Sequence, residues 1–241
     1  MVVAELEVFH SRPIAPTRRV ALGDAVLPVE PHPGPGGMLL GALMAANVAA
    51  VAPELHDELN RLMHQVEAGH RISQPRLRHR YQHDRVGLQR STHRLVARGQ
   101  QLALELDDRG APVQQVLGAV YAVATLAPAH RRPVMDTVRR GAHWRGEIGD
   151  QLLAHLADRA VAPVLAGLAG DPLQWALEVF GIDADPAVGP DRLDRFDLDR
   201  RDVQRRFREL LRAAHPDHGG ASEEAARRIA ELAEARRILL A

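Results

Sequence analysis

Two strongly amphipathic segments near the carboxyl end of the chain constrain its fold more than any other feature. In "RDVQRRFRELLRAAHPD" the apolar residues recur at i, i+4, i+7, i+8 and i+11, which places them in one stripe along a helix. This stripe consists of Val203, Phe207, Leu210, Leu211 and Ala214. Arg205, Arg208 and Arg212 lie off the stripe, so we expect them to form a basic ridge on the exposed face of the helix.

The second segment, "SEEAARRIAELAEARRILLA", has an apolar stripe of its own. Its members are Ala225, Ile229, Leu232, Ala235 and Leu239. Ser222 is suited to cap the helix start, and Glu223 and Glu224 favour the positive end of the helix dipole. The first helix should end at or before His215, because Pro216 disfavours helical geometry in the residue before it. The pattern predicts an antiparallel helical hairpin with "HPDHGG" at its tip.

This hairpin resembles the J-domain of DnaJ-type co-chaperones. His215, Pro216 and Asp217 match the family's His-Pro-Asp motif, which lies in the loop between its helices II and III. Phe207 and Leu210 stand eight and five residues before the motif's histidine, where the family has an aromatic residue and a leucine. The family's helix III pattern is matched by Ile229, Leu232, Ala235 and Leu239.

The resemblance extends to "ALEVFGI" (residues 176–182), which is similar to the family's helix I, and covers roughly residues 171–241. It implies helix I at about 172–181, helix II at about 200–214, the loop at 215–220 and helix III at about 222–240. His218 replaces the basic residue that usually follows the motif, and Arg236 replaces the usual tyrosine of helix III. The connector between helices I and II is unusually long and acidic.

The resemblance implies a co-chaperone that binds a DnaK-type chaperone in its ATP state and speeds its ATP hydrolysis. In that reading the chain is not itself an enzyme and needs no cofactor or metal. The basic ridge, together with the adjacent Arg206, would dock on an acidic surface of the partner. Asp217 would engage an arginine of the partner. Pro216 would stiffen the loop and His215 would orient it. The residues implied as the J-domain core are Phe207, Leu210, Ile229, Leu232, Ala235 and Leu239.

Residues 1–128 predict an α+β module of no recognised family, whose expected role is to target a client or scaffold. Residues 18–30 and 102–106 are strand-like, whereas residues 113–123 fit either a strand, in a hairpin, or a helix. Residues 38–51 predict a buried core helix, because the segment is shorter than the roughly 20 residues of a membrane span. A helical connector is predicted at 129–170, so the mostly helical carboxyl part ends in the J-domain hairpin.

The amino-acid composition and charge of the chain exclude several kinds of site. The chain has no cysteine, which excludes disulfides, the cysteine-rich zinc domain of full DnaJ proteins and thiol catalysis, and fits a reducing cytoplasm. Acidic side chains stand among the first residues, and these residues do not form the apolar core of a signal peptide. We therefore expect no secretory signal and no membrane insertion. The formal net charge is zero, so the chain as a whole has no bias toward nucleic acid.

Three further patterns leave alternatives open. His79 and His83 are spaced i, i+4, which suits zinc on a helix, but solvated histidines are the favoured interpretation. "GPGG" at residues 34–37 resembles a phosphate loop but fits no complete motif. Eight arginines stand between Arg71 and Arg98 against the single acid Asp84. They predict either the solvent face of a sheet or a surface that binds nucleic acid or an acidic partner. The second prediction belongs to an alternative function, a non-catalytic binding or assembly protein with a J-like hairpin.

Overall fold

The structure of the protein, a computed structural model, describes residues 1–12, 14–15, 17–72, 74–98, 101–157, 172–182, 200–214 and 222–240. The chain divides into two compact units. The N-terminal unit contains Met1–Val96 and Leu102–Asp158, and the C-terminal unit contains Ala97–Gln101 and Arg159–Ala241. Each unit has its own buried apolar residues.

A mixed five-stranded sheet lies near the amino end of the chain. Its strands are β1 (Val2–His10), β2 (Arg19–Val26), β3 (Arg80–Tyr81), β4 (Gln89–Arg98) and β5 (Gln101–Glu105). They are ordered β3-β2-β1-β4-β5, so β1 is the central strand. It pairs antiparallel with β2 and β4, whereas β2 pairs parallel with the short β3.

The described residues contain eight α-helices and two 3-10 turns. Five of these helices precede residue 158: α1 (Gly34–Asn47), α2 (His56–Glu67), α3 (Pro112–Thr125), α4 (Pro128–His143) and α5 (Asp150–Leu156). Three follow it: α6 (Pro172–Val179), α7 (Arg200–Ala213) and α8 (Ser222–Leu239). A sheet near the amino end and a mostly helical carboxyl part are therefore confirmed.

Helix α1 is the buried core helix that its sequence predicts. Every residue from Gly34 to Met44 is buried. An apolar helix without a polar face needs cover on all sides, and here β1, α3, α4 and α5 all pack against it. No helix among the described residues is both long and apolar enough to cross a membrane.

Residues 113–123, which fit either a strand or a helix from sequence, belong to helix α3. Pro112 occupies its first turn, and the Ala111 amide donates to the Gln114 side chain at 2.8 Å, so the helix start is well formed. Its residues 114–123 are all buried. A Cβ on Gly118 would lie 2.6 Å from the Val8 side chain, so glycine permits α3 to approach the sheet closely. The hairpin alternative for this segment is wrong.

The N-terminal unit continues beyond residue 128. Helices α4 and α5 pack on α1, and they belong to the same compact unit. Gly141 explains how closely α4 approaches. A Cβ there would lie only 2.0 Å from the carbonyl oxygen of Gly41, which shows that the two helix backbones are in direct contact.

A buried polar network lies between β4 and α3. The Asp107 amide donates to Nδ1 of His93 at 3.3 Å, and Nε2 of His93 lies 2.9 Å from Oε1 of Gln115. Because Nδ1 accepts a hydrogen bond, the network assigns the proton of a neutral imidazole to Nε2. The Gln115 amide nitrogen in turn donates to the Ser91 hydroxyl at 2.8 Å. Burial lowers the pKa of His93 and of the neighbouring His10.

The contact between α1 and α4 gives a first prediction. We expect Gly141→Ala to lower the free energy of unfolding of the N-terminal unit by about 2 kcal/mol or more, because the two helices would have to separate. Gly149→Ala is the matched control, since no atom lies within 4 Å of its added Cβ; its effect should stay within about 0.5 kcal/mol. Urea unfolding followed by Trp144 fluorescence, in a Trp175→Phe background, measures both. Equal midpoints would contradict the close contact.

The buried histidines give a second prediction. His10, His79 and His93 are buried, and burial lowers the pKa of each below 6.5. Below that pH the unfolded chain takes up protons that the folded chain does not, so the free energy of unfolding should fall as pH falls through 6.5 and should stay level above it. The loss is up to about 1.4 kcal/mol per histidine per pH unit.

Urea midpoints at a series of pH values, with the same Trp144 reporter, measure this loss. His93→Gln should flatten the pH dependence, whereas His70→Gln, at an exposed position, should leave it unchanged. A midpoint that is constant from about pH 7.5 to about pH 5.5 would contradict the assignment of neutral buried imidazoles.

Candidate functional site

Helices α6, α7 and α8 enclose one apolar core in the C-terminal unit. Its fully or nearly fully buried members are Ala176, Val179, Phe180, Val203, Leu232 and Ala235. Helix α6 is followed closely by Gly181, whose φ of +64° suits glycine. The Gly181 amide donates to the Glu178 carbonyl and the Ile182 amide to the Leu177 carbonyl, which is a Schellman motif.

The residues implied as the J-domain core occupy different positions relative to this apolar core. Leu232 and Ala235 are fully buried in it. Phe207, Leu210 and Leu239 are partly buried and pack against it, as does Ala214. Ile229 is partly buried and is not among the residues packed against the core. Among the described side chains, those in the middle and at the carboxyl end of α8 contact this core.

Two arginines join the three helices through backbone carbonyls. Nε of Arg206, on α7, donates to the Phe180 carbonyl at 3.3 Å. A guanidinium nitrogen of Arg228, on α8, donates to the Val179 carbonyl at 3.0 Å. The carbonyls at the end of a helix lack partners within the helix, so these two bonds cap α6 from both neighbours. Arg206 therefore has a structural contact that the sequence does not reveal.

Arg236 stands where the resemblance leads us to expect a tyrosine, and it contacts the aromatic residue of α7. Its guanidinium lies 4.4 Å from the centre of the Phe207 ring, in cation–π geometry. The next residue, Arg237, donates to the carboxylate of Glu234 at 2.6 Å. Because Glu234 is only 1% exposed, this pair supplies the charge partner that a buried carboxylate needs. Both contacts stabilise the side of α8 that faces its neighbours.

The basic ridge of Arg205, Arg208 and Arg212 is exposed on α7. At 100° per residue these positions lie on the side of the helix opposite Val203 and Leu210, which face the core. The Arg205 guanidinium is 2.6 Å from the Asp202 carboxylate one turn earlier, and Nε of Arg208 donates to the Gln204 carbonyl. These contacts within the helix orient two of the three guanidiniums without covering them.

One further arginine follows the same spacing. Arg201, four residues before Arg205, is also exposed and extends the line of the basic ridge by one turn. The helical period that defines the ridge also indicates this residue. The ridge ends at Arg212, three residues before the motif. His215, Pro216 and Asp217 themselves lie outside the described residues.

The other candidate sites of the sequence do not form metal or phosphate sites in the parts of the chain that the structure describes. His79 and His83 flank β3 rather than lying on a helix, and Nδ1 of His79 is hydrogen-bonded to the Leu77 carbonyl at 2.7 Å. No group of three metal-ligating side chains occurs among the described residues. In the "GPGG" segment the amides of Gly36 and Gly37 donate to backbone carbonyls, so they are not free for a phosphate.

The arginines between Arg71 and Arg98 are largely paired. Five of the eight contact a carboxylate: the pairs are Arg76–Glu58, Arg78–Glu54, Arg85–Asp24, Arg90–Glu7 and Arg94–Glu5. The last two pairs join neighbouring strands of the sheet across one face. This is the solvent-face arrangement that the sequence allows, and it leaves fewer guanidiniums available to nucleic acid than the count suggests.

No protein-family model, no curated protein and no solved structure matches the chain. The resemblance to the J-domain family therefore depends on the sequence motif and on the two apolar stripes. Neither feature lies in the N-terminal unit.

The apolar core of the C-terminal unit gives a third prediction. Ala235 is fully buried between the helices, so Ala235→Leu should overpack the core and lower the free energy of unfolding of this unit by about 1–3 kcal/mol. Ala213→Leu, at an exposed position on α7, is the matched control and should change it by less than about 0.5 kcal/mol. Trp175, which packs against the same core, reports unfolding in a Trp144→Phe background. Equal effects of the two changes would contradict this packing.

Proposed function

We propose that this chain is a minimal-class J-domain co-chaperone. Its C-terminal unit stimulates ATP hydrolysis by a DnaK-type chaperone, and its N-terminal unit delivers that activity to a client or scaffold. The observation that carries the proposal is the exposed basic ridge, which lies opposite an apolar core shared by three helices. The last arginine of the ridge stands three positions before the histidine of the His-Pro-Asp motif. The motif and the ridge together supply the two contacts that the family uses.

The ridge would provide the first contact. Arg205, Arg208 and Arg212 present three positive charges along one exposed line of α7, which suits an acidic surface on the nucleotide-binding domain of the partner. Charges on an exposed surface mainly accelerate and orient association, and salt screens them over about 8 Å at physiological ionic strength. We therefore expect the affinity for the chaperone to fall as salt concentration rises.

The motif would provide the second contact. The Asp217 carboxylate would accept a charge-assisted hydrogen bond from an arginine of the partner, and Pro216 would limit the motion of the loop that presents it. ATP hydrolysis would take place in the partner's site, so the chain would act as an activator and not as an enzyme. It would need no cofactor of its own for this role.

The alternative is a binding or assembly protein whose J-like unit activates no chaperone. Contact with nucleic acid or an acidic partner through the arginines between Arg71 and Arg98 belongs to that alternative. The pairing of Arg90 and Arg94 with carboxylates across two strands favours the solvent face of a sheet instead. The intact His-Pro-Asp motif favours the activator over an inactive J-like unit.

A fourth prediction tests this function. The full chain should raise steady-state ATP turnover by a DnaK-type chaperone, and His215→Gln or Asp217→Asn should abolish most of the stimulation. The variant Arg205→Ala/Arg208→Ala/Arg212→Ala should need at least about ten times more protein for the same stimulation, corresponding to about 1.4 kcal/mol of lost binding. Its maximal stimulation should change less, because the motif stays intact.

Arg61→Ala is the matched control for loss of positive charge, because Arg61 is an exposed arginine on α2, away from the C-terminal unit in sequence. It should leave stimulation unchanged. No stimulation by the unmodified chain would reject the activator function. Equal stimulation by the unmodified chain and by both motif variants would show that the turnover does not depend on a J-domain contact.

A further inference from the structure

An open cleft in the N-terminal unit collects positive charge outside the unit proposed to bind the chaperone. Its volume is about 290 Å³, near the lower end of the range for small-molecule sites. The lining residues are Thr17, Arg18, Gln74, Pro75, Arg78 and Arg80. Three guanidiniums, a hydroxyl and an amide are thus the polar groups of the lining, and none of the lining residues is acidic.

Arg18, just before β2, and Arg80, on β3, line the same cleft, although the residue opposite Arg80 in the strand register is Arg19. The Arg80 amide donates to the Arg18 carbonyl at 2.9 Å, where β3 joins the edge of β2. Two positive charges that line one cleft repel each other. Within the described part of the chain neither side chain has a hydrogen-bond or ion-pair partner, in contrast to Arg90 and Arg94 on the same sheet. An anion between them would relieve the repulsion and use their free donors.

The third arginine is held by an unfavourable turn. The amides of Arg76 and His79 each donate to the other's carbonyl, at 2.8 and 2.7 Å, around a two-residue turn. Its central residues, Leu77 and Arg78, have φ of +46° and +59°. These are conformations that favour glycine or asparagine. The Leu77 side chain is fully buried and the buried His79 ring is bonded to the Leu77 carbonyl, so the surroundings hold the turn in place.

The competing partner of Arg78 is weak. Its guanidinium lies 3.7 Å from the Glu54 carboxylate, and the two side chains are 64% and 60% exposed. Ion pairs at such exposure contribute little, so Arg78 is available to an incoming anion. Arginine forms paired hydrogen bonds with phosphate oxygens and keeps its charge at every physiological pH.

We infer that this cleft binds a phosphomonoester, with Arg18, Arg78 and Arg80 as the charged ligands and Thr17 and Gln74 as neutral donors. The strained turn is retained because it keeps Arg78 in the lining of the same cleft as Arg18 and Arg80. This binding is independent of the proposed co-chaperone activity, since the cleft lies entirely within the N-terminal unit. Either function can therefore fail without the other.

Amide NMR titration of the full chain tests the inference, with inorganic phosphate, O-phosphoserine and glycerol 3-phosphate as separate probes and sodium chloride as the ionic-strength control. We expect saturable shifts centred on Arg18 and Arg78–Arg80. Arg18→Ala/Arg80→Ala should raise the dissociation constant at least tenfold, and Arg61→Ala should not change it. Tighter binding of O-phosphoserine would identify a phosphorylated protein as the source, and tighter binding of glycerol 3-phosphate a small metabolite or lipid headgroup.

Arg78→Gly provides a second measurement that does not depend on the double variant folding. Glycine relieves the positive φ, so this change should raise the thermal midpoint of the N-terminal unit while weakening phosphate binding several-fold. Opposite effects on stability and on binding are expected only if the strain serves the site. The absence of a saturable shift with all three probes, or an unchanged dissociation constant in the Arg18→Ala/Arg80→Ala chain, would overturn the inference.

Discussion

The burial of α1 is the constraint on which the N-terminal unit depends. The first eleven residues of this helix are buried, so it has no face to offer to water and must be enclosed. The sheet covers it through β1, and α3, α4 and α5 cover the remaining sides. Because aromatic residues make up only 3% of the chain, this enclosure cannot rely on large rings to fill space. Backbones approach closely instead, at Gly41 and Gly141 between helices and at Gly118 against Val8.

Arginine is the only strongly basic residue type in the chain. Three groups of arginines differ in what their side chains contact. Arg90 and Arg94 pair with carboxylates across the sheet and complete a solvent face. Arg206 and Arg228 donate to the carbonyls that end α6 and so hold helices together. The remaining group, which includes the basic ridge and the arginines of the cleft, has few or weak partners. This last group is the best suited to bind a partner, because a guanidinium that is already paired must lose one interaction to gain another.

The sequence predicts those parts of the fold that local patterns determine. The apolar run in α1 is found as predicted, because burial on every side leaves a direct mark on the residue types. The central strand β1 is not predicted, since burial on both of its faces removes the simple alternation of apolar and polar residues. The packing of α4 and α5 on α1 is not predicted either. It depends on contact with α1, about a hundred positions earlier, which no local pattern records.

For the candidate site, too, the sequence predicts what a local pattern determines and misses contacts between distant segments. The helical period alone places Arg205, Arg208 and Arg212 on one exposed line, and the structure adds Arg201 by the same period. The period does not show that the neighbouring Arg206 bonds to the Phe180 carbonyl on another helix. Substitutions of Arg206 and of the basic ridge should therefore differ in whether they affect folding as well as docking. Removing Arg206 would weaken the three-helix arrangement and the basic surface together, whereas the basic ridge projects away from the core and its removal changes the surface alone.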